Sequence, residues 1–295
     1  MIDNHKNPIM LSIDWDFFIW NASEALNPMV EIQGKQKYLS LLFDWGHSES
    51  HSPSVQDMLW VARAGRFKHH GLNIEEEFTI RKDRGCVQPD TFTKELRARF
   101  DLSGARNIAF DSHLNAFLWL EALYDRSRCG VHLIHFDAHC DLGYGEEPCE
   151  EENKCSVDAG SWLYQALEQD LCSVVDIVYP DWKGLWEWKE FKASPHIRRL
   201  LKHEHFKVNV FTWESWLAAA DSYPRRENVD LITTARSSAW TPPWLDAEFN
   251  TFVHSLNGSQ KVVCGDCHAR RVLGKGLGGF DICIPRQWDN SVVEQ

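Results

Sequence analysis

Val131-His132-Leu133-Ile134-His135-Phe136-Asp137-Ala138-His139-Cys140-Asp141 is the stretch on which the fold turns. Its first part, Val131–Phe136, is short and mostly apolar, as a buried strand should be. Its second part sets Asp137, His139 and Asp141 at alternate positions. An extended segment projects alternate side chains to one side. Fully extended, the outer two Cα atoms would stand roughly 13 Å apart, too far for one ion to take all three side chains. Either the chain bends at the strand end or more than one ion sits there. Carboxylates and imidazole together suit a borderline-hard divalent metal such as manganese or zinc.

Six further runs share the strand character: Met10–Ile13, Asn107–Phe110, Val174–Tyr179, Val208–Phe211, Leu231–Thr234 and Val262–Cys264. Between them, stretches such as Leu114–Tyr124 and Ser161–Glu168 space their apolar residues as helices do. That alternation predicts a doubly wound, mainly parallel α/β sheet, whose functional groups gather where strands end. No internal repeat, low-complexity tract or linker divides the chain.

A second run opens in the same way into carboxylates, Ser12-Ile13-Asp14-Trp15-Asp16-Phe17-Phe18. Two unpaired aspartates at the end of a buried strand repel each other and resist desolvation, and a shared cation removes both objections. A third element, Phe110-Asp111-Ser112-His113, follows an apolar run and opens a helix. His113 could complete a metal site, with Asp111 or Ser112 capping the helix.

The composition sets limits around these motifs. With 31 Lys+Arg against 43 Asp+Glu, the net charge of −12 speaks against a nucleic-acid binder, which needs cationic surface, and against an anionic-membrane surface protein. Hydrophobic residues at 43% and charged residues at 25% are ordinary globular values, which excludes a disordered chain. No apolar stretch reaches the roughly 18 residues of a membrane span, and the N-terminus does not read as a secretory signal. Nine scattered cysteines then read as reduced thiols, and a cytoplasmic protein is expected. The 14 tryptophans are expected mainly in the core. Asp44–Ser54 and the acidic Glu146–Glu152 are expected as loops, the latter either merely solvated or forming a rim that attracts a cationic substrate.

These motifs resemble those of the ureohydrolases, the arginase and agmatinase family. Asp137, His139 and Asp141 look like its DAHxD motif, Asp14 and Asp16 like its SxDxD pair, and His113 like its metal-binding histidine. The order differs, because SxDxD comes first here, which marks a rearranged member. GSWLYQAL, VYPDWKGL and LITTARSSAWTPP look like the branch called peptide arginases, which convert arginine side chains of peptides to ornithine. The resemblance implies one catalytic domain over residues 1–295 with the three-layer α/β/α arginase-deacetylase-like fold. It implies two Mn²⁺ ions held by Asp14, Asp16, His113, Asp137, His139 and Asp141, about 3.5–4 Å apart and sharing a hydroxide that attacks the guanidinium carbon. Asp141 would also orient that hydroxide and pass a proton to the leaving nitrogen.

Two features of the family have no direct match. Its proton-transferring His-Gly aligns best with Ala159-Gly160, so His47 or His51 in the 47–51 segment is the candidate replacement. Glu49 is the candidate for holding the guanidinium. The expected partner is an arginine-containing peptide. Free arginine, agmatine, another guanidino compound or an acyl-lysine are the alternative substrates, and a metal-containing peptide-binding protein is the non-enzymatic alternative. Cys264-Gly265-Asp266-Cys267-His268 matches a haem-attachment pattern but reads better as reduced cysteines at a strand end. Gly274–Gly279 reads as a turn, and His69-His70 and His203-Glu204-His205 as surface.

Overall fold

The computed structural model describes residues 7–21, 53–127, 129–143, 157–220, 227–257 and 263–264. All seven expected runs are strands: β1 Ile9–Asp14, β2 Arg106–Phe110, β3 Val131–Phe136, β4 Cys172–Tyr179, β5 Lys207–Thr212, β6 Leu231–Ala235 and β7 Val263–Cys264. They form one sheet in the order β7-β2-β6-β1-β3-β4-β5, and every pairing in it is parallel. Parallel neighbours require crossovers, and helices supply them. The main helices are α1 Pro53–His69, α2 Pro89–Arg99, α3 Leu114–Ser127, α4 Trp162–Glu168, α5 Trp213–Ala220 and α6 Asp246–Asn257. The expected loop over Asp44–Ser54 ends too late. Pro53 and Ser54 already belong to α1, since a proline's fixed φ suits a first helical turn. The rest of that loop, like Glu146–Glu152 and Gly274–Gly279, lies outside the described residues.

Alternation along the strands makes two apolar layers. Ile9, Leu11, Ile13, Ile134 and Phe136 meet Trp60 of α1, Phe92 of α2, Trp216 of α5 and Phe252 of α6 on one face. Met10, Leu133, Val175, Ile177 and Tyr179 meet Leu120 of α3, Trp162 of α4 and Ile197 of a short helix on the other. The result is a three-layer α/β arrangement whose central strands are buried on both sides, which is why they read as near-continuous apolar runs. The expectation for tryptophan holds in the two cores, where Trp15, Trp60, Trp162 and Trp216 are fully buried. Among the described residues, no helix is long and apolar enough to cross a membrane.

The strand order reverses around β1. The successive strands β3, β4 and β5 march outward on one side, and β6, β2 and β7 lie on the other. In parallel α/β sheets the crevice beyond the strand ends at such a reversal is where ligands bind. Register aligns the ends there: Asp14 pairs with Ala235, Ile13 with Phe136 and Ala235 with Phe110.

Candidate metal centre

Three strands of the sheet, β1, β2 and β3, deliver the expected side chains to this crevice. β1 ends on Asp14, which caps the single turn Trp15–Phe18 by accepting from the Asp16 amide at 3.1 Å. That turn carries Asp16 to within reach of the β3 end, where the Ala138 amide donates to Asp16 Oδ1 at 3.2 Å. Beyond β3 the His139 amide donates to Asp137 Oδ1 at 2.6 Å. One oxygen of each of these three carboxylates is thus held by a backbone N–H, and the other is aimed at imidazoles. Asp14 Oδ2 and Asp137 Oδ2 lie 3.0 and 2.9 Å from His113 Nδ1, and Asp16 Oδ2 lies 3.0 Å from His139 Nδ1.

The bend required at the end of β3 is present. Asp141 has φ +51°, a left-handed conformation that is uncommon outside glycine and that Asp adopts more readily than most residues. The bend turns Asp141 Oδ2 back toward His113 Nδ1 at 3.2 Å and lets it accept from Trp162 Nε1 at 2.5 Å. His113 reaches the site from the start of α3 and is fixed from behind by a 2.8 Å hydrogen bond between Nε2 and Ser12 Oγ. Asp111 does not cap α3; its carboxylate instead accepts from Ser238 Oγ at 2.7 Å and meets Arg236 at 3.4 Å.

Potential ligand atoms fall into two groups that share one residue. His113, His135, Asp137 and Asp141 form one, and Asp16, Asp137 and His139 the other. The bend and the second ion, posed above as alternatives, thus occur together as bend and second donor group. Asp14 borders the first group, with its Oδ2 also accepting from Ser237 Oγ. All six expected ligands are therefore brought together. His139 is the most exposed of them, at 22% of its side chain, so the approach from solvent is on its side. Trp240, half-buried, packs against it with ring centroids 4.8 Å apart.

Burial and charge push the titrations in a consistent direction. Burial alone would lower the His113 pKa, yet the Asp14, Asp137 and Asp141 carboxylates hold it well above the ordinary value. Burial, and then the charges of Asp16, Asp141 and Asp14, push Asp137 well up. Asp141 responds oppositely: burial would raise it, but His113 holds it below the ordinary value. His135, buried and beside His113, is pushed down to about 3 chiefly by burial. Without a metal, the cluster draws in a proton to offset its carboxylates. Apart from the ion pairs already given, His113 Nδ1, His135 Nε2 and Asp137 Oδ2 are buried without a well-formed hydrogen bond. Such atoms are costly unless something else occupies them, and a divalent cation fits this donor set of carboxylate oxygens and imidazole nitrogens.

Three contributors escape a reading of the sequence. His135 stands two residues before Asp137, so the alternation of Asp137, His139 and Asp141 already extends back to it, but the residue is concealed inside an apolar strand. Trp162 and Ser237 give no local signal, since their partners Asp141 and Asp14 are distant in sequence. Ser237 shares the left-handed conformation, with φ +51°, at the end of β6. Its segment is clamped by α1, where Trp60 Nε1 donates to the Ser238 carbonyl at 2.8 Å and Arg63 to the Ala239 carbonyl at 3.4 Å.

Ala159-Gly160 docks beside the site, with the Gly143 amide donating to the Gly160 carbonyl at 2.8 Å. His47, Glu49 and His51 lie outside the described residues, as do Cys267 and His268; Cys264 ends β7. His69, His70, His203 and His205 are exposed, as expected. Cys86, Cys129, Cys140 and Cys172 are free thiols. Compared with family models, curated proteins and solved structures, the chain shows no significant match to any of them.

Proposed function

We propose that this chain is a dinuclear metal hydrolase that converts arginine side chains of a peptide to ornithine with release of urea, using two divalent cations such as Mn²⁺. The observation that carries the proposal is the sharing of Asp137 between two adjacent donor groups. A carboxylate common to both would hold two cations side by side at a strand-end crevice. The likeness of the three motifs to ureohydrolases supplies the substrate class. Bound there, the cations would supply Lewis acidity and a lowered water pKa, which an unreactive guanidinium carbon needs.

The chain's own residues account for the rest. The Asp141 carboxylate, fixed by Trp162 Nε1, orients the attacking water and accepts its proton. It returns that proton to the side-chain nitrogen as the bond between this nitrogen and the guanidinium carbon breaks. One water is added, and urea and the ornithine amine leave. The exposed edge of His139 and the Trp240 ring border the approach, and an aromatic face there favours a cationic side chain.

The test is to incubate the metal-loaded protein separately with an arginine-containing peptide and with free arginine. The expected result is urea release with a mass loss of about 42 Da per modified arginine, the difference between guanidine and amine after metal-assisted hydrolysis. Urea from free arginine alone would shift the substrate to a small guanidino compound. Two bound ions per chain without urea from either would overturn the activity.

A further inference from the structure

We propose that His135 is a seventh donor to the site, which makes the two cation positions chemically unequal. The inference rests on the dinuclear reading above and concerns a residue that none of the metal motifs contains.

His135 is fully buried. Its Nε2 points at the carboxylates, 3.4 Å from Asp137 Oδ2 and 3.7 Å from Asp141 Oδ2, and has no hydrogen-bond partner. The ring cannot turn away easily. It stacks on His113 with centroids 5.2 Å apart and 28° between planes, and it meets Trp162 edge-on at 5.4 Å. A neutral imidazole always leaves one ring nitrogen with a lone pair. Here a ligating nitrogen of His135 lies within 4.8 Å of the ligand atoms of His113, Asp137 and Asp141. Those atoms are thus close enough together for one cation to be shared among them.

The consequence is an imbalance of donors. The first position has two imidazoles and two carboxylates, and the second, from Asp16, Asp137 and His139, has one imidazole and two carboxylates. Imidazole-rich sites favour Zn²⁺ and its neighbours, whereas carboxylate-rich sites suit Mn²⁺. The first position should bind Zn²⁺ more tightly than the second, and one equivalent of Zn²⁺ should displace one of two Mn²⁺ ions.

The experiment measures metal content and affinity in the full chain for wild type, H135N and H135Q, together with melting temperatures with and without metal. Gln places an amide oxygen near the position of Nε2, whereas Asn does not reach it. Wild type is expected to hold two ions. H135N should bind Zn²⁺ more than about 100-fold more weakly at one position, beyond the loss that follows from removing an outer partner of a ligand. H135Q should recover part of that affinity, and the metal-free melting temperatures of all three should agree. Wild-type affinity and stoichiometry in H135N would overturn the inference. So would a fall in melting temperature of equal size with and without metal, which marks a packing role. A wild type that holds one ion, lost in H135N, would keep His135 as a donor while overturning the dinuclear reading and, with it, the inequality of two positions. A wild type that holds none would remove both.

Discussion

Around Arg236 three carboxylates meet a cation that the chain itself supplies, whereas around His113 three carboxylates meet a single imidazole nitrogen. Arg236 donates from Nε to Asp246 at 2.7 Å and from its two terminal nitrogens to Asp57 and Asp111 at 3.4 Å. His113 Nδ1 has Asp137, Asp14 and Asp141 at 2.9, 3.0 and 3.2 Å. A guanidinium has five N–H donors and a permanent charge, but Nδ1 carries one proton at most. The His113 cluster is buried and the Arg236 cluster partly so, and they adjoin through the same strand end, with Arg236 in one and Ser237 touching Asp14 of the other. The first is complete as a piece of structure. The second has a deficit of positive charge, because the ion pairs of Asp14, Asp137 and Asp141 among the described residues all run to imidazoles. A buried acidic cluster without its own cation is what distinguishes a binding site from a structural ion pair.

Removing the shared carboxylate tests the contrast most severely. D137A should lower metal-dependent urea release more than about 100-fold, exceeding the loss from an outer partner, and should leave fewer than two ions per chain by metal analysis. Normal metal content with full activity would break the site assignment. In the self-sufficient cluster the main effect should be on folding instead. R236A leaves the buried Asp246 and the partly exposed Asp111 and Asp57 without their cation, and denaturant unfolding of the metal-free protein should show a loss of about 3 kcal/mol, the low end for a broken buried pair. An R236A protein of unchanged stability would deny the cluster its structural role.

Acidity should separate the two clusters as well. The pKa of His113 is raised in the folded, metal-free chain, so folding there is accompanied by proton uptake. Its contribution to stability is present below the unfolded value of 6.5 and is lost as pH rises through the raised folded value. The metal-free melting temperature should therefore fall as pH rises above about 6.5 through that range. Metal competes with the same proton, so metal affinity should rise over the same range. A titration with pH-independent affinity would show that His113 is not a ligand. The smallest effects belong to the residues that orient ligands. W162F and S237A each remove one hydrogen bond to Asp141 or Asp14 and should cost about 10-fold in affinity or turnover, at the lower end for outer partners. Equal losses from both and from D137A would remove the distinction between ligand and support.

What the sequence discloses divides along the same line. Every strand of the sheet was readable, the central ones because burial on both faces leaves an apolar run bounded by turn residues. The six expected ligands were readable too, since carboxylates and imidazoles at the mouth of such a run stand out against it. His135, by contrast, occupies a position where an apolar residue would be expected and looks like part of the strand. Arg236 and Asp246 are only 10 residues apart, but Asp57 is 179 and Asp111 125 residues away from Arg236. Nothing local announces such a meeting. Asp141 was legible as a candidate ligand but not as a left-handed residue, because its contacts with Trp162 and His113 come from other elements.

The place of β6 in the sheet gives the order of assembly a particular form. β2 and β7 are joined to β1, β3, β4 and β5 only through β6, which pairs with β2 on one side and β1 on the other. His113 follows β2, while Asp14, Asp16, Asp137, His139 and Asp141 follow β1 and β3. In chain order both halves of the cluster thus precede residues 231–235, the strand that seats them against each other. The two halves share a sheet only through that strand, and a cation held between them would act as a clasp across the seam.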